Sequence, residues 1–189
     1  MLTPSTMSEL GSSAPAFALP GTDGRTVRSE DFAATPALLV AFMCNHCPYV
    51  KHIRAGFVAF AREYQSRGIA IVAINSNDAK AHPDDSPEMM KVEADRYKFN
   101  FPYLFDESQE VAKAFRAACT PDFFLYDNDS GLVYRGQFDG SRPGNGVPVT
   151  GASLREAVDS VLNGGAVVAD QFPSIGCNIK WRTGNEPGY

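Results

Sequence analysis

The sequence is short of cysteine, of basic residues and of long apolar runs, and each shortage excludes something. Four cysteines in 189 residues are too few to hold a disulfide-built scaffold of this size. Thiols this sparse in a chain of cytosolic character point instead to chemistry or metal binding. Lys and Arg number 17 against 22 Asp and Glu, a net charge of −5 with a pI near 5.2. That balance excludes a broad basic footprint for nucleic acid or an acidic membrane. No apolar run approaches the ~20 residues of a membrane span. The opening "MLTPSTMSELGSSAPAF" lacks the basic start and apolar stretch of a secretory signal, so a cytoplasmic location is expected. Repeats and low-complexity segments are also missing. What remains is ordinary: 44% hydrophobic and 21% charged residues, in a length that suits one domain with a sizeable core.

Along the chain, "FALPGTDGRTVR" reads as a small hairpin behind a flexible start (1–14). "ALLVAFM" (37–43) and "IAIVAIN" (69–75) are short, fully apolar runs with β-branched members, hence buried strands. Between them Val50, Ile53, Phe57, Phe60 and Tyr64 recur at spacings of three and four, one face of a helix that Gly68 ends. Strand, helix, strand makes a βαβ unit on a parallel sheet. Ser86 and Pro87 then suit a helix start, reaching Phe99. "PYLFD" is a short strand and "SQEVAKAFRAAC" a helix. "TPDFFLYDNDSGLVYRGQF" is a hairpin turning at Asn-Asp-Ser-Gly. Ser153 and Glu156 have capping-box spacing for a last helix, ending at Gly164-Gly165. The tail (166–189) is too apolar to hang free; Phe172, Ile175, Ile179 and Trp181 should dock on the body.

Between the first strand and its helix stands "MCNHCPYVKH" (43–52). A metal clasp, a structural staple and a redox couple all fit Cys44-x-x-Cys47. Haem attachment does not, because Pro48 stands where a histidine is required. A helix N-terminus offers unpaired N–H groups and a positive dipole end. Cys44 is expected to face both these groups and solvent, which would favour its thiolate. Cys47 lies one turn deeper, within disulfide reach. On this placement Cys44 attacks and Cys47 resolves.

Four segments in order, "CNHCPYV", "CTPDFFLYD", "DGSRPGN" and "IGCNIKW", resemble a thioredoxin-like subfamily of the AhpC/TSA-type redoxin branch. The match spans nearly the whole chain. It implies a single α/β thioredoxin-like domain (1–189), with a central mixed sheet, helices on both faces, an N-terminal hairpin and a C-terminal tail. It also implies a cis peptide before Pro121 beside the motif, with Thr120 and Pro121 pairing with a substrate strand. Two departures stand out. Met43 replaces the tryptophan of thioredoxins. Cys44 and Val40 occupy the Thr and Pro positions of the peroxiredoxin motif.

The resemblance implies thiol–disulfide exchange through a redox-active Cys44–Cys47 disulfide, with no further cofactor and no metal. Partners would be a protein or small-molecule disulfide, or a peroxide, and a dithiol reductant. A peroxiredoxin-like thiol peroxidase and a metal-binding or interaction module are the alternatives. Around the couple, His46 is either a solvated loop residue or a tuner of the thiolate. Cys119 is either a packing residue or a thiol near the couple. Cys177 either packs or serves as an auxiliary thiol. Arg142 either holds its turn or binds an anionic group. His52 and His82 read as surface residues.

Overall fold

A computed structural model describes residues 2–129 and 131–189. Strand β1 (Leu2–Pro4) comes first, then the antiparallel hairpin of β2 (Ala18–Pro20) and β3 (Thr26–Arg28). The βαβ unit follows as β4 (Ala37–Phe42), α1 (Pro48–Gln65) and β5 (Ala70–Asn75). Next are α2 (Pro87–Tyr97), β6 (Tyr103–Phe105) and α3 (Glu110–Phe115). Strand β7 (Cys119–Thr120) leads through Pro121 into β8 (Asp122–Asp127) and β9 (Leu132–Gly136). Helix α4 (Ala152–Leu162) and β10 (Ile175–Asn178) complete the order.

The central sheet runs β6-β5-β4-β8-β9. The first three strands are parallel, and β8 and β9 join antiparallel. β4 and β5 are buried at all six positions, as their unbroken apolar sequence requires. Because side chains alternate across a strand, Ala37, Leu39 and Ala41 join the core under α1 and α4. Leu38, Val40 and Phe42 join the opposite core with Phe115, Leu19 and Ile179. The mixed sheet covered on both faces is as expected.

Several elements depart from the sequence reading, each for a local reason. The helix expected over 108–119 has only six residues. Gln109 and Arg116, both at positive φ, bracket it, and Cys119 is drawn into β7. The Ser153–Glu156 capping box does not form; Gly151 takes the cap position at φ 70°, and Ser153 accepts instead from Gln137. Residues 1–14 were expected to be flexible, yet β1 pairs with β10 and Ser5 is buried. Phe172 is 69% exposed rather than docked, while Ile179 is buried and Ile175 and Trp181 are partly so. Part of the Asn-Asp-Ser-Gly turn, Ser130, lies outside the described residues.

Phe57 is the hinge of the core under α1. It is fully buried, with ring centroids of Phe101 at 5.2 Å, Phe123 at 5.4 Å and Phe138 at 5.9 Å. Phe57→Ala should lower unfolding free energy by about 3–5 kcal/mol in urea denaturation, the cost of a large core cavity. A loss under roughly 1 kcal/mol would mean the site can collapse and the aromatic cluster is not what holds α1 on the sheet.

Candidate active site

The motif sits where β4 ends and α1 begins. The Met43 N–H still donates to Ile74 O at 2.9 Å, which carries the sheet to the edge of the motif. Cys47 is the N-cap of α1, with Pro48 in the first helical position, where no N–H is needed. The Thr120–Pro121 peptide is cis, as expected, and presents Thr120 to both sulfurs. The Thr120 hydroxyl is 3.3 Å from Cys44 Sγ, and the protonated Cys47 thiol donates to Thr120 O at 3.2 Å. All four cysteines are free thiols.

Cys44 does not face solvent. It is 2% exposed and Cys47 is 0% exposed. The electrostatics also run opposite to the expected order. Once the pair gives up one proton, the charge settles on Cys47. Its pKa is pulled down to about 4, first by the hydrogen bond from Cys44, then against burial by the Cys177 thiol and the Val50 and Cys177 backbones. Cys44 is pushed well above the ordinary thiol value, by donating to Cys47, by burial and by the nearby Asp85 carboxylate. Cys47 caps α1, and the Val50 backbone in the first turn of the helix is among the groups that favour its thiolate.

Asp85 is the residue that sequence reasoning missed. It is fully buried and its carboxylate is saturated with donors: Asn45 N at 2.7 Å, Asn77 Nδ2 at 2.8 Å and His46 Nδ1 at 2.5 Å. Burial pushes its pKa up, but these hydrogen bonds outweigh burial and hold it below the usual carboxylate range. The same bond to Asp85 raises the pKa of His46, which stays partly exposed and so connects the buried acid to water. The His82 ring stacks on His46, with centroids 5.2 Å apart. His52 is not a free surface residue either; its Nε2 is 2.7 Å from Ser141 Oγ. Tyr103 donates to Asn45 Oδ1 at 3.0 Å and closes the floor.

Ligand atoms of Cys44, His46 and Asp85 lie within 4.8 Å of one another. Among the described residues they are the group that could hold a metal, but His46 and Asp85 already bond each other. A structural zinc would also require a fourth ligand.

The remaining candidates separate clearly. Arg142 braces its own turn, donating to Asp139 O, Ser141 O and Gln137 Oε1. Cys119 is fully buried, with its thiol directed at Pro121 O, and burial raises its pKa. It packs behind the couple. Cys177 packs against the core that contains Cys44 and Cys47. The strand edge beside Pro121, expected to receive a substrate chain, is occupied: β10 pairs antiparallel with β7, Cys177 opposite Thr120.

Residues 10–135 match the AhpC/TSA family. A solved structure described as a hypothetical protein of Sinorhizobium meliloti 1021 is 54% identical. It covers 96% of this chain and 100% of its own, with a TM-score of 0.95. Peroxiredoxin Q, chloroplastic, of Triticum aestivum is 28% identical over 103 residues, 54% of this chain. That match spans only 44% of the peroxiredoxin. The thiol-disulfide oxidoreductase ResA of Geobacillus thermodenitrificans (strain NG80-2) is 26% identical over 133 residues, 67% of this chain and 68% of ResA. The fold is thioredoxin-like: a thioredoxin-family thiol:disulfide interchange protein of Chlorobium tepidum TLS has a TM-score of 0.64 at 18% identity, covering 82% of this chain and 99% of its own. Among the described residues, no helix is long and apolar enough to cross a membrane.

Proposed function

Because the chain belongs to the AhpC/TSA family, whose relatives include thiol–disulfide oxidoreductases and peroxiredoxins, we propose that it is a thiol–disulfide oxidoreductase working through a Cys44–Cys47 couple. The observation that carries this reading is the shared site itself. Both sulfurs meet one residue, Thr120, beside a cis proline at the start of α1. Cys47 bears the charge and enters exchange as the nucleophile. It forms a mixed disulfide with one substrate sulfur and releases the other as a thiolate. Cys44 then attacks Cys47, its proton goes to the second substrate sulfur, and that sulfur leaves as a thiol as the Cys44–Cys47 disulfide closes. An external dithiol would restore the reduced pair. The proposed location is the cytoplasm.

Peroxide is the second oxidant this thiolate suits. Cys47 falls at the cysteine position of the peroxiredoxin motif, and its low pKa favours oxidation to a sulfenic acid that Cys44 could condense with. Turnover of a disulfide and of hydrogen peroxide, each with dithiothreitol as donor, separates the readings. Disulfide reduction should be the faster activity. Peroxide consumption without disulfide reduction would replace the first reading by the second.

A further inference from the structure

The buried couple has a third thiol at its mouth. Cys44 and Cys47 are closed to solvent, whereas Cys177, alone of the four cysteines, is partly exposed. It stands opposite Thr120, whose carbonyl lies 3.2 Å from Cys47 Sγ, and packs on the core that holds the couple. The strand that carries it is held down along its length. Ile179 N donates to Ala118 O at 3.1 Å, Ser174 Oγ donates to Pro121 O at 2.7 Å, and β1 pairs on its outer side. Gly176 lies directly on the Thr120 carbonyl. A Cβ there would come within 2.0 Å of Thr120 O, so only glycine lets the strand approach this closely.

We infer that β10 is an internal substrate strand and that Cys177 is the exchange thiol carrying the disulfide between the buried couple and an external thiol or disulfide. This rests on the Cys44–Cys47 couple proposed above. In the outward direction the Cys177 thiolate attacks Cys47 Sγ of the Cys44–Cys47 disulfide. The Cys47–Cys177 bond forms, the Cys44–Cys47 bond breaks, and Cys44 leaves as a thiolate that takes up the proton Cys177 lost. No electrons are gained or lost in this exchange. An external thiol then attacks the accessible Cys177 sulfur, and Cys47 leaves. Cys177 is the accessible sulfur of this disulfide, so attack there is the productive one. A second external thiol frees Cys177 and departs as the external disulfide. In the reduced protein Cys177 is raised to about 11, by burial and by donating to Cys47; the second cause disappears once Cys47 is in a disulfide.

The test has two arms. The Cys44→Ser protein is oxidised with diamide, its free thiols are blocked, and the disulfide is mapped by mass spectrometry. A Cys47–Cys177 disulfide is expected; none would overturn the inference. Separately, oxidised wild type and Cys177→Ser are reduced with glutathione, with thermal melts as a folding control. Cys177→Ser should still form Cys44–Cys47 but be reduced about tenfold or more slowly, since attack must now reach a buried sulfur. Reduction at the wild-type rate would end the relay while leaving the couple intact. Failure of wild type to form Cys44–Cys47 at all would remove the proposed function, and the relay with it.

Discussion

Cys47→Ser should reduce disulfide exchange to the rate of a protein-free control and abolish the thiolate absorbance expected of the reduced protein at neutral pH. Cys47 is the favoured thiolate because the Cys44 and Cys177 thiols and the Val50 and Cys177 backbones lower its pKa against burial. With Cys47 gone, Cys44 is left beside the buried carboxylate of Asp85, which opposes its ionisation. Ultraviolet thiolate absorbance in reduced wild type should therefore fall only as pH drops through about 4. The variant should show none at neutral pH. Stability is linked in a fixed direction. The folded pKa of Cys47 lies below an unfolded value of about 8.5, so the reduced protein gains stability as pH rises between the two values. That contribution is complete above the unfolded value and lost as pH falls through the folded one. Its slope should be missing from Cys47→Ser. A neutral-pH thiolate that survives in Cys47→Ser but not in Cys44→Ser would restore the order expected from sequence.

Asp85→Asn carries the second large effect. The carboxylate accepts three hydrogen bonds in a fully buried position, and the amide cannot accept all of them. A loss of about 1.5–3 kcal/mol in denaturant unfolding is expected, the usual range for a hydrogen bond to a charged group. Two chemical shifts should accompany it. Cys44 loses the charge that opposes its ionisation, so alkylation with peptide mapping should find it reactive at lower pH than in wild type. His46 loses the partner that raises its pKa. In wild type that raised value adds stability below His46's unfolded pKa, and the contribution is lost as pH rises through the folded one. The variant should lack this component. Unchanged Cys44 reactivity would leave Asp85 a structural group only.

What the sequence disclosed and what it hid follow from how locally each feature is determined. The strands at 37–43 and 69–75 and the face of α1 are written in unbroken or periodic apolar residues, so they were legible. Pro121 was legible because its neighbours in the chain resemble a known segment. The tail's docking was legible from its apolar content, though Phe172 shows that an apolar side chain need not be the one buried. Asp85 was not legible. It lies 38 residues beyond Cys47 in a polar "HPDDSP" stretch, and nothing local separates it from Asp84. Only the fold over the motif, where Asn45 and Asn77 meet it, selects one of the two acids. The surroundings of the two sulfurs were hidden for a similar reason. The helix start was expected at Cys44 with Cys47 one turn deeper, but α1 begins at Pro48 and Cys47 is its cap, so Cys44 stands ahead of the helix. The occupied edge beside Pro121 required knowing that Cys177 stands opposite Thr120, a pairing across 57 residues that no local pattern encodes.

The central claim is that Cys44 and Cys47 form one reversible disulfide couple. A redox titration in dithiol or glutathione buffers, acid-quenched and followed by mapping of every blocked thiol, tests it most directly. The account predicts a single two-electron transition in which Cys44 and Cys47 lose their free thiols together, with Cys119 remaining reduced. The stabilised Cys47 thiolate should place the midpoint above the approximately −270 mV of thioredoxin. Cys44 and Cys47 both remaining alkylatable at every potential, or a disulfide formed only between other cysteines, would contradict it.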